Sequence, residues 1–172
     1  MTTANKITIG RIIAVPVFLV LAYLGHPIGA FIVYVLACLS DMVDGYIARH
    51  YNQITDFGKF MDPLADKMLV LAAMCFFVQK GQMAGWAMAI VLFREFAVSG
   101  LRLIAVEQQR VIAAAWSGKI KTAVTMVGLA AMMLFGSNLT LCRVISALIV
   151  LTTVYSGAEY FYKNRDVFRD VQ

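Results

Sequence analysis

Apolar residues fill this chain in six long blocks, parted by short polar, glycine or proline breaks. The first runs from Ile7 to Leu24 and is closed by Gly25-His26-Pro27. The second runs from Ile28 to Ala48, and the third from about Asp62 to Val78, ahead of Lys80-Gly81-Gln82. The fourth, Ala84 to about Val106, is broken in its middle by Arg94 and Glu95. The fifth covers Val111 to Phe135, and after Gly136-Ser137-Asn138 the sixth runs from Leu139 to about Tyr162. Each is close to the roughly 20 residues a helix needs to cross a bilayer. The pattern predicts an all-α integral membrane protein of six transmembrane helices, one domain over residues 1–172, with no internal repeat or linker. Pro63, directly after Asp62, is expected in the first turn of the third helix, where its missing N–H does no harm.

Composition sharpens this picture. Of 172 residues, 61% are hydrophobic and 15% charged, and the mean hydropathy is +0.77. A soluble domain of this size has too little interior to hide so much apolar surface. The net charge of +5 does not indicate a nucleic-acid partner, because the basic residues stand singly at segment ends. Cys38, Cys75 and Cys142 sit alone in apolar segments and read as packing residues. His26 and His50 are isolated and suit turn or surface positions.

Charge placement orients the segments. Six crossings put both termini on one side. Lys6, Arg11, Arg49, Lys59, Lys67, Arg102, Arg110, Lys119, Lys121, Lys163, Arg165 and Arg169, 12 of the 15 Lys and Arg, then share that side. Positive charge favours the cytoplasm, so both termini and the second-to-third connection are expected there, in a plasma or inner membrane.

That connection carries the chemistry. Asp41 to Asp66, DMVDGYIARHYNQITDFGKFMDPLAD, holds five of the ten acidic residues. Asp41 and Asp44, three apart, share a helix face with Ala48; Gly58, Asp62 and Asp66 follow at intervals of four. Four unpaired carboxylates on two facing helix ends repel one another unless cations lie between them. The stretch is therefore expected to clamp divalent ions that grip a phosphate. Gly45, Ala48 and Gly58 stand where a bulky side chain would block such a ligand. Arg94 is a charge deep in an apolar segment, a placement that usually marks a polar cavity. One reading pairs it with Glu95 to fix helix packing. The sharper one brings Arg94, Arg102 and Lys119 together as an anion pocket beside the aspartates, since an Arg fork can bond two phosphate oxygens at once. Lys121 and Arg110 are expected to be membrane-surface anchors.

The spacing D-x2-D-G-x2-A-R-x8-G-x3-D-x3-D, through Asp41, Asp44, Gly45, Ala48, Arg49, Gly58, Asp62 and Asp66, resembles the signature of the CDP-alcohol phosphatidyltransferases at every fixed position. The opening NKITIGR, with Asn5, Thr8 and Arg11, is similar to the family's opening segment. REFAVSGLR from Arg94, SGKIKT from Ser117 and EYFYKNRDVF near the end resemble one branch, whose members join CDP-diacylglycerol to sn-glycerol 3-phosphate and release CMP. The resemblance implies the family's helical membrane fold and a homodimer in contact with membrane lipid. It implies two divalent ions, Mg²⁺ or Mn²⁺, on Asp41, Asp44, Asp62 and Asp66. It also implies a cytidine diphosphate site at Asn5, Thr8, Gly45, Ala48, Arg49 and Gly58, with Asp66 as the base. Arg94, Arg102 and Lys119 would hold the glycerol phosphate. The alternatives are another alcohol, such as inositol phosphate, and, from a different class, a divalent-cation transporter. The basic trio argues against serine. Transport fits poorly with carboxylates gathered at one surface and with the absence of paired halves.

Overall fold

The computed structural model describes residues 3–50, 56–108, 110, 112 and 115–167, with side chains at 3, 4, 6, 42–50, 56–60, 62, 63 and 66 left out of the description. Six helices make up the described chain: α1 Thr3–Tyr23, α2 Pro27–His50, α3 Asp56–Gln79, α4 Gly85–Glu107, α5 Trp116–Phe135 and α6 Leu139–Lys163. No strand occurs among the described residues.

Local chemistry sets the ends of these helices. After α1, Gly25 adopts φ 79°; the N–H of His26 bonds the carbonyl of Leu21 and that of Gly25 bonds Ala22. This paired closure around a left-handed residue is the Schellman arrangement, and a side chain at Gly25 would strain it. Pro27 follows as the first residue of α2, where no amide is needed. The same device closes α3: Gly81 has φ 70°, with Gln82 N–H bonded to Phe77 and Gly81 N–H to Val78. Asn138 caps α6, its side chain accepting from the Leu141 amide at 3.1 Å.

Some expected boundaries move. The third helix begins at Asp56 rather than Asp62, so Pro63 lies inside it and not in its first turn. A proline inside a membrane helix frees one carbonyl that neighbouring groups can satisfy. The fifth begins at Trp116 rather than Val111. Arg94 and Glu95 do not interrupt α4, because both charges are paired within the bundle.

Helix α1 packs along α2 and α3, α5 along α6, α4 along α6, and α2 meets α5 to join the two groups. The central core contains Phe18, Tyr34, Leu69, Phe77, Leu129, Met132 and Ile149, with alanines 22, 30, 37, 72, 73 and 87 between helices. Small residues let helix backbones approach where lipid gives no hydrophobic drive to associate. Gly128 shows the closeness: a Cβ there would lie 2.8 Å from Ile145 Cγ2. A second cluster, Val98, Leu101, Ala105, Tyr160 and Val167, ties α4 to the end of α6.

Outside the core, large apolar side chains face outward on every helix. Examples are Ile13 and Val20 on α1, Ile32 and Leu36 on α2, Met68 on α3, Phe93 and Leu103 on α4, Val127 on α5 and Leu151 on α6. Such a belt is far larger than a soluble monomer exposes. Helices α5 and α6 are each long and apolar enough to cross a membrane. The apolar stretches of α1, α2 and α3 are shorter, Ile7–Tyr23, Pro27–Asp41 and Lys67–Gln79. On α2 and α3 the polar remainder is the acidic segment. This is a helical membrane protein.

Replacing Gly128 by Ala is expected to destabilise the α5–α6 contact by about 1–3 kcal/mol, because the stiff β-branched Ile145 cannot swing aside cheaply. Unfolding in detergent, compared with the natural sequence, measures it.

Candidate functional site

The site is assembled around Asp41 of α2, which meets α1 and lines a cavity shared with α3–α6. Asn5, Thr8 and Arg11 recur at three-residue spacing on α1 and are all buried, Arg11 to 2% exposure. An arginine so deep must be neutralised. Arg11 Nη1 donates to Asp41 Oδ1 at 2.5 Å, and its Nε approaches Ser40 Oγ at 3.4 Å. Asp41 is thus not an unpaired acid, contrary to the reading of the quartet as four unpaired carboxylates. Its carboxylate keeps 35% exposure and forms part of the wall of a cavity.

That cavity, of about 740 Å³, is bounded by α2, α3, α4, α5 and α6. It brings Asp41 together with Arg94, Arg102 and Lys119, the three cations singled out from the sequence, and adds Lys67 and Glu95. Four cations against two carboxylates make it a place for an anion.

Each cation is held differently. Arg94 Nη2 donates to Ser156 Oγ of α6 at 2.7 Å, and Nη1 to Glu95 Oε1 at 3.1 Å. Its stem crosses α6 over Gly157, where a Cβ would stand 3.2 Å from Arg94 Cγ, and its tip faces Gly118 of α5. Arg94 therefore pairs with Glu95 and also lines the cavity. Arg102 is more open; its Nε donates to Tyr160 Oη at 2.8 Å, with the guanidinium 5.4 Å from the ring centre. Lys119, also exposed, rests over the Trp116 ring at 4.9 Å. Lys67 Nζ donates to Ser99 Oγ at 2.7 Å.

Lys121 is not a surface anchor. It is 6% exposed and its ammonium donates to Glu95 Oε1, so Glu95 serves Arg94 and Lys121 together. Its position five residues into α5 points it inward between α4 and α3 rather than toward the surface. Behind this pair lies a second cavity of about 240 Å³ between α3, α4 and α5, walled mainly by residues such as Leu64, Met68, Leu71 and Phe96.

The other expected site residues, Asp44, Gly45, Ala48 and Arg49 on α2 and Gly58, Asp62 and Asp66 on α3, have helical backbone but lie outside the described side chains. Arg110 is exposed, as an anchor would be. Sequence reasoning passed over Arg11, Lys67 and Ser99 as site members, and Ser156 and Gly157 entirely, while Tyr160 entered only within EYFYKNRDVF. Arg11 carried a signal, a charge interrupting the first apolar run. Ser156-Gly157-Ala158 is a run of three small residues in α6.

Comparison with known proteins identifies the family. A family model described as CDP-alcohol phosphatidyltransferase matches residues 1–156. A Bacillus subtilis (strain 168) protein named CDP-diacylglycerol–glycerol-3-phosphate 3-phosphatidyltransferase is 38% identical, over 96% of this chain and 96% of its own. A Mycobacterium tuberculosis (strain H37Rv) protein named probable phosphatidylglycerophosphate synthase is 38% identical over 91% of this chain and 78% of its own. An Escherichia coli (strain K12) protein with the same name as the Bacillus one is 36% identical over 72% of each chain.

Removing one partner of a buried ion pair strands the other. Glu95 serves two cations, so Glu95→Gln, which strands both Arg94 and Lys121, is expected to cost about 3 kcal/mol of stability, with Lys121→Met in the same background recovering part of it. Denaturant unfolding of the single and double variants measures both effects.

Proposed function

The chain belongs to the CDP-alcohol phosphatidyltransferase family, and from that premise we propose how its residues carry out the reaction named for its relatives. It transfers the phosphatidyl group of CDP-diacylglycerol to sn-glycerol 3-phosphate, giving phosphatidylglycerophosphate and CMP in phospholipid biosynthesis. The observation that carries this reading is one cavity holding both Asp41 of the acidic motif and the cations of α4 and α5. One wall suits a cytidine diphosphate with its counter-ions; the other suits the phosphate of the acceptor.

In this reading Asp66 accepts the proton of the primary hydroxyl of glycerol 3-phosphate. The hydroxyl oxygen forms a bond to the phosphorus that bears diacylglycerol, and the bond from that phosphorus to CMP breaks. Arg102 and Lys119, the exposed cations, contact the acceptor phosphate directly, with Arg94 behind them. Asn5, Thr8, Gly45, Ala48, Arg49 and Gly58 receive the cytidine diphosphate. The acidic quartet fits divalent metal: Asp41 presents a partly exposed carboxylate at the cavity wall, and hard oxygen donors favour Mg²⁺ or Mn²⁺. Asp41, Asp44, Asp62 and Asp66 would hold two such ions, which when bound neutralise the diphosphate and the departing CMP.

Six crossings of a plasma or inner membrane, with both termini and the site facing the cytoplasm, complete the proposal. The lysine and arginine distribution and the outward apolar belt support it. The site then meets water-soluble glycerol 3-phosphate while the acyl chains stay among lipids. The family resemblance supports a homodimer.

Purified protein given CDP-diacylglycerol is expected to release CMP with glycerol 3-phosphate and not with serine or inositol phosphate; release with either of the latter alone would reassign the acceptor. Asp66→Asn should abolish transfer while CDP-diacylglycerol still binds, and normal turnover would remove the base assignment. EDTA should stop the reaction, and Mg²⁺ or Mn²⁺ should restore it. Arg102→Ala or Lys119→Ala should raise KM for glycerol 3-phosphate roughly tenfold or more, as loss of a charge-assisted hydrogen bond does.

A further inference from the structure

We propose that one face of α6, made of Ser156, Gly157 and Tyr160, is a positioning element that holds two arginines of α4 in place and thereby selects a phosphorylated acceptor. The inference rests on the functional reading above. None of the three residues belongs to the acidic motif, and Gly157 and Tyr160 lie past residue 156, where the family match ends.

Arg94 and Arg102 are eight residues apart on α4, a rise of about 12 Å along the helix. Their anchors, Ser156 and Tyr160, are four apart on α6, a rise of about 6 Å. Arg94 Nη2 bonds Ser156 Oγ at 2.7 Å and Arg102 Nε bonds Tyr160 Oη at 2.8 Å. One face of α6 thus holds both arginines of α4 and sets where their guanidinium groups stand. Left alone, two like charges would lean apart.

The anchors are stiffer than what they hold. Ser156 is fully buried and Tyr160 is 2% exposed. The Tyr160 ring is packed among Val98, Leu101, Ala105 and Val167. Arg102 must come to that ring, not the reverse, and the ring face adds a cation–π contact. Because Tyr160 engages Nε, the two terminal nitrogens of Arg102 remain for a ligand. Gly157 supplies the third part: without a Cβ, α6 is low enough for the Arg94 stem to lie across it. Ordering Arg102 beforehand, with Arg94 fixed behind it, lowers the entropic cost of engaging a phosphate. An acceptor lacking a phosphate gains nothing from that arrangement, so the selectivity resides in α6 as much as in the arginines.

Steady-state kinetics on Tyr160→Phe, which keeps the ring and deletes the hydroxyl, tests this directly. KM for glycerol 3-phosphate is expected to rise about three- to tenfold, with kcat and KM for CDP-diacylglycerol within twofold of the natural protein. In an Arg102→Ala background the same substitution should change nothing further, because its effect passes through Arg102. Ser156→Ala is the independent second variant, with the same signature expected through Arg94. Preference for glycerol 3-phosphate over glycerol should fall in both. An unchanged KM, a loss confined to kcat or to CDP-diacylglycerol binding, or an equal effect with and without Arg102 would overturn the proposal. If the natural protein itself released no CMP with glycerol 3-phosphate, the functional reading would fall, and the positioning role with it. A natural protein that turns over while both variants match it would sink the positioning role alone.

Discussion

Glu95 is the constraint on which the rest of the bundle turns. It is a carboxylate inside a stack of apolar helices, and it is bound at once by Arg94 of its own helix and Lys121 of α5. Ions so far from water are tolerated only when partnered. The register of α4 against α5 must therefore be the one that joins these groups. Arg94 then extends the tie to α6 through Ser156. Three helices that could slide along smooth apolar faces are pinned at one level, and the cavity opens at that level.

A second tie does the same for the other half of the molecule. Arg11 reaches from α1 into α2 and meets Asp41. The pairing holds the start of the acidic motif at a fixed height against the buried polar face of α1, beside Asn5 and Thr8. Between the ties, close packing through alanine and glycine carries the load, most tightly where Gly128 meets Ile145. Polar contacts thus fix position while small residues allow proximity. That division suits a lipid setting, in which apolar faces alone specify little.

The cavity inherits its asymmetry from these two ties. Part of its lining is an acid whose partner is an arginine of α1; other parts are cations restrained by α6, Trp116 and Ser99. A donor whose charge is carried by a diphosphate and an acceptor bearing its own phosphate need separate neighbourhoods within bonding distance. Arg94, mostly engaged by protein partners, shapes the site, whereas Arg102 and Lys119 keep exposed charge for a ligand.

The sequence by itself determined the six helices, the acidic motif and the three cations beside it. Apolar block length, Gly and Pro punctuation and fixed spacing along one chain are local properties, and Gly25, Gly81 and Pro27 end or start helices where the pattern requires. It also showed that Arg94 needed a reason to be in an apolar segment. Only the tertiary structure decided what that reason was. Lys121 reads as a surface anchor from its neighbours, and becomes a buried partner because α5 turns it toward Glu95. Asp41 reads as unpaired until Arg11, thirty residues earlier, is folded against it. Ser156 and Gly157 carry no motif, and the EYFYKNRDVF segment that includes Tyr160 does not name its partner; their roles come from which face of α6 meets α4. Pairing across helices depends on rotation and register, and a linear pattern of hydrophobic and polar positions holds neither.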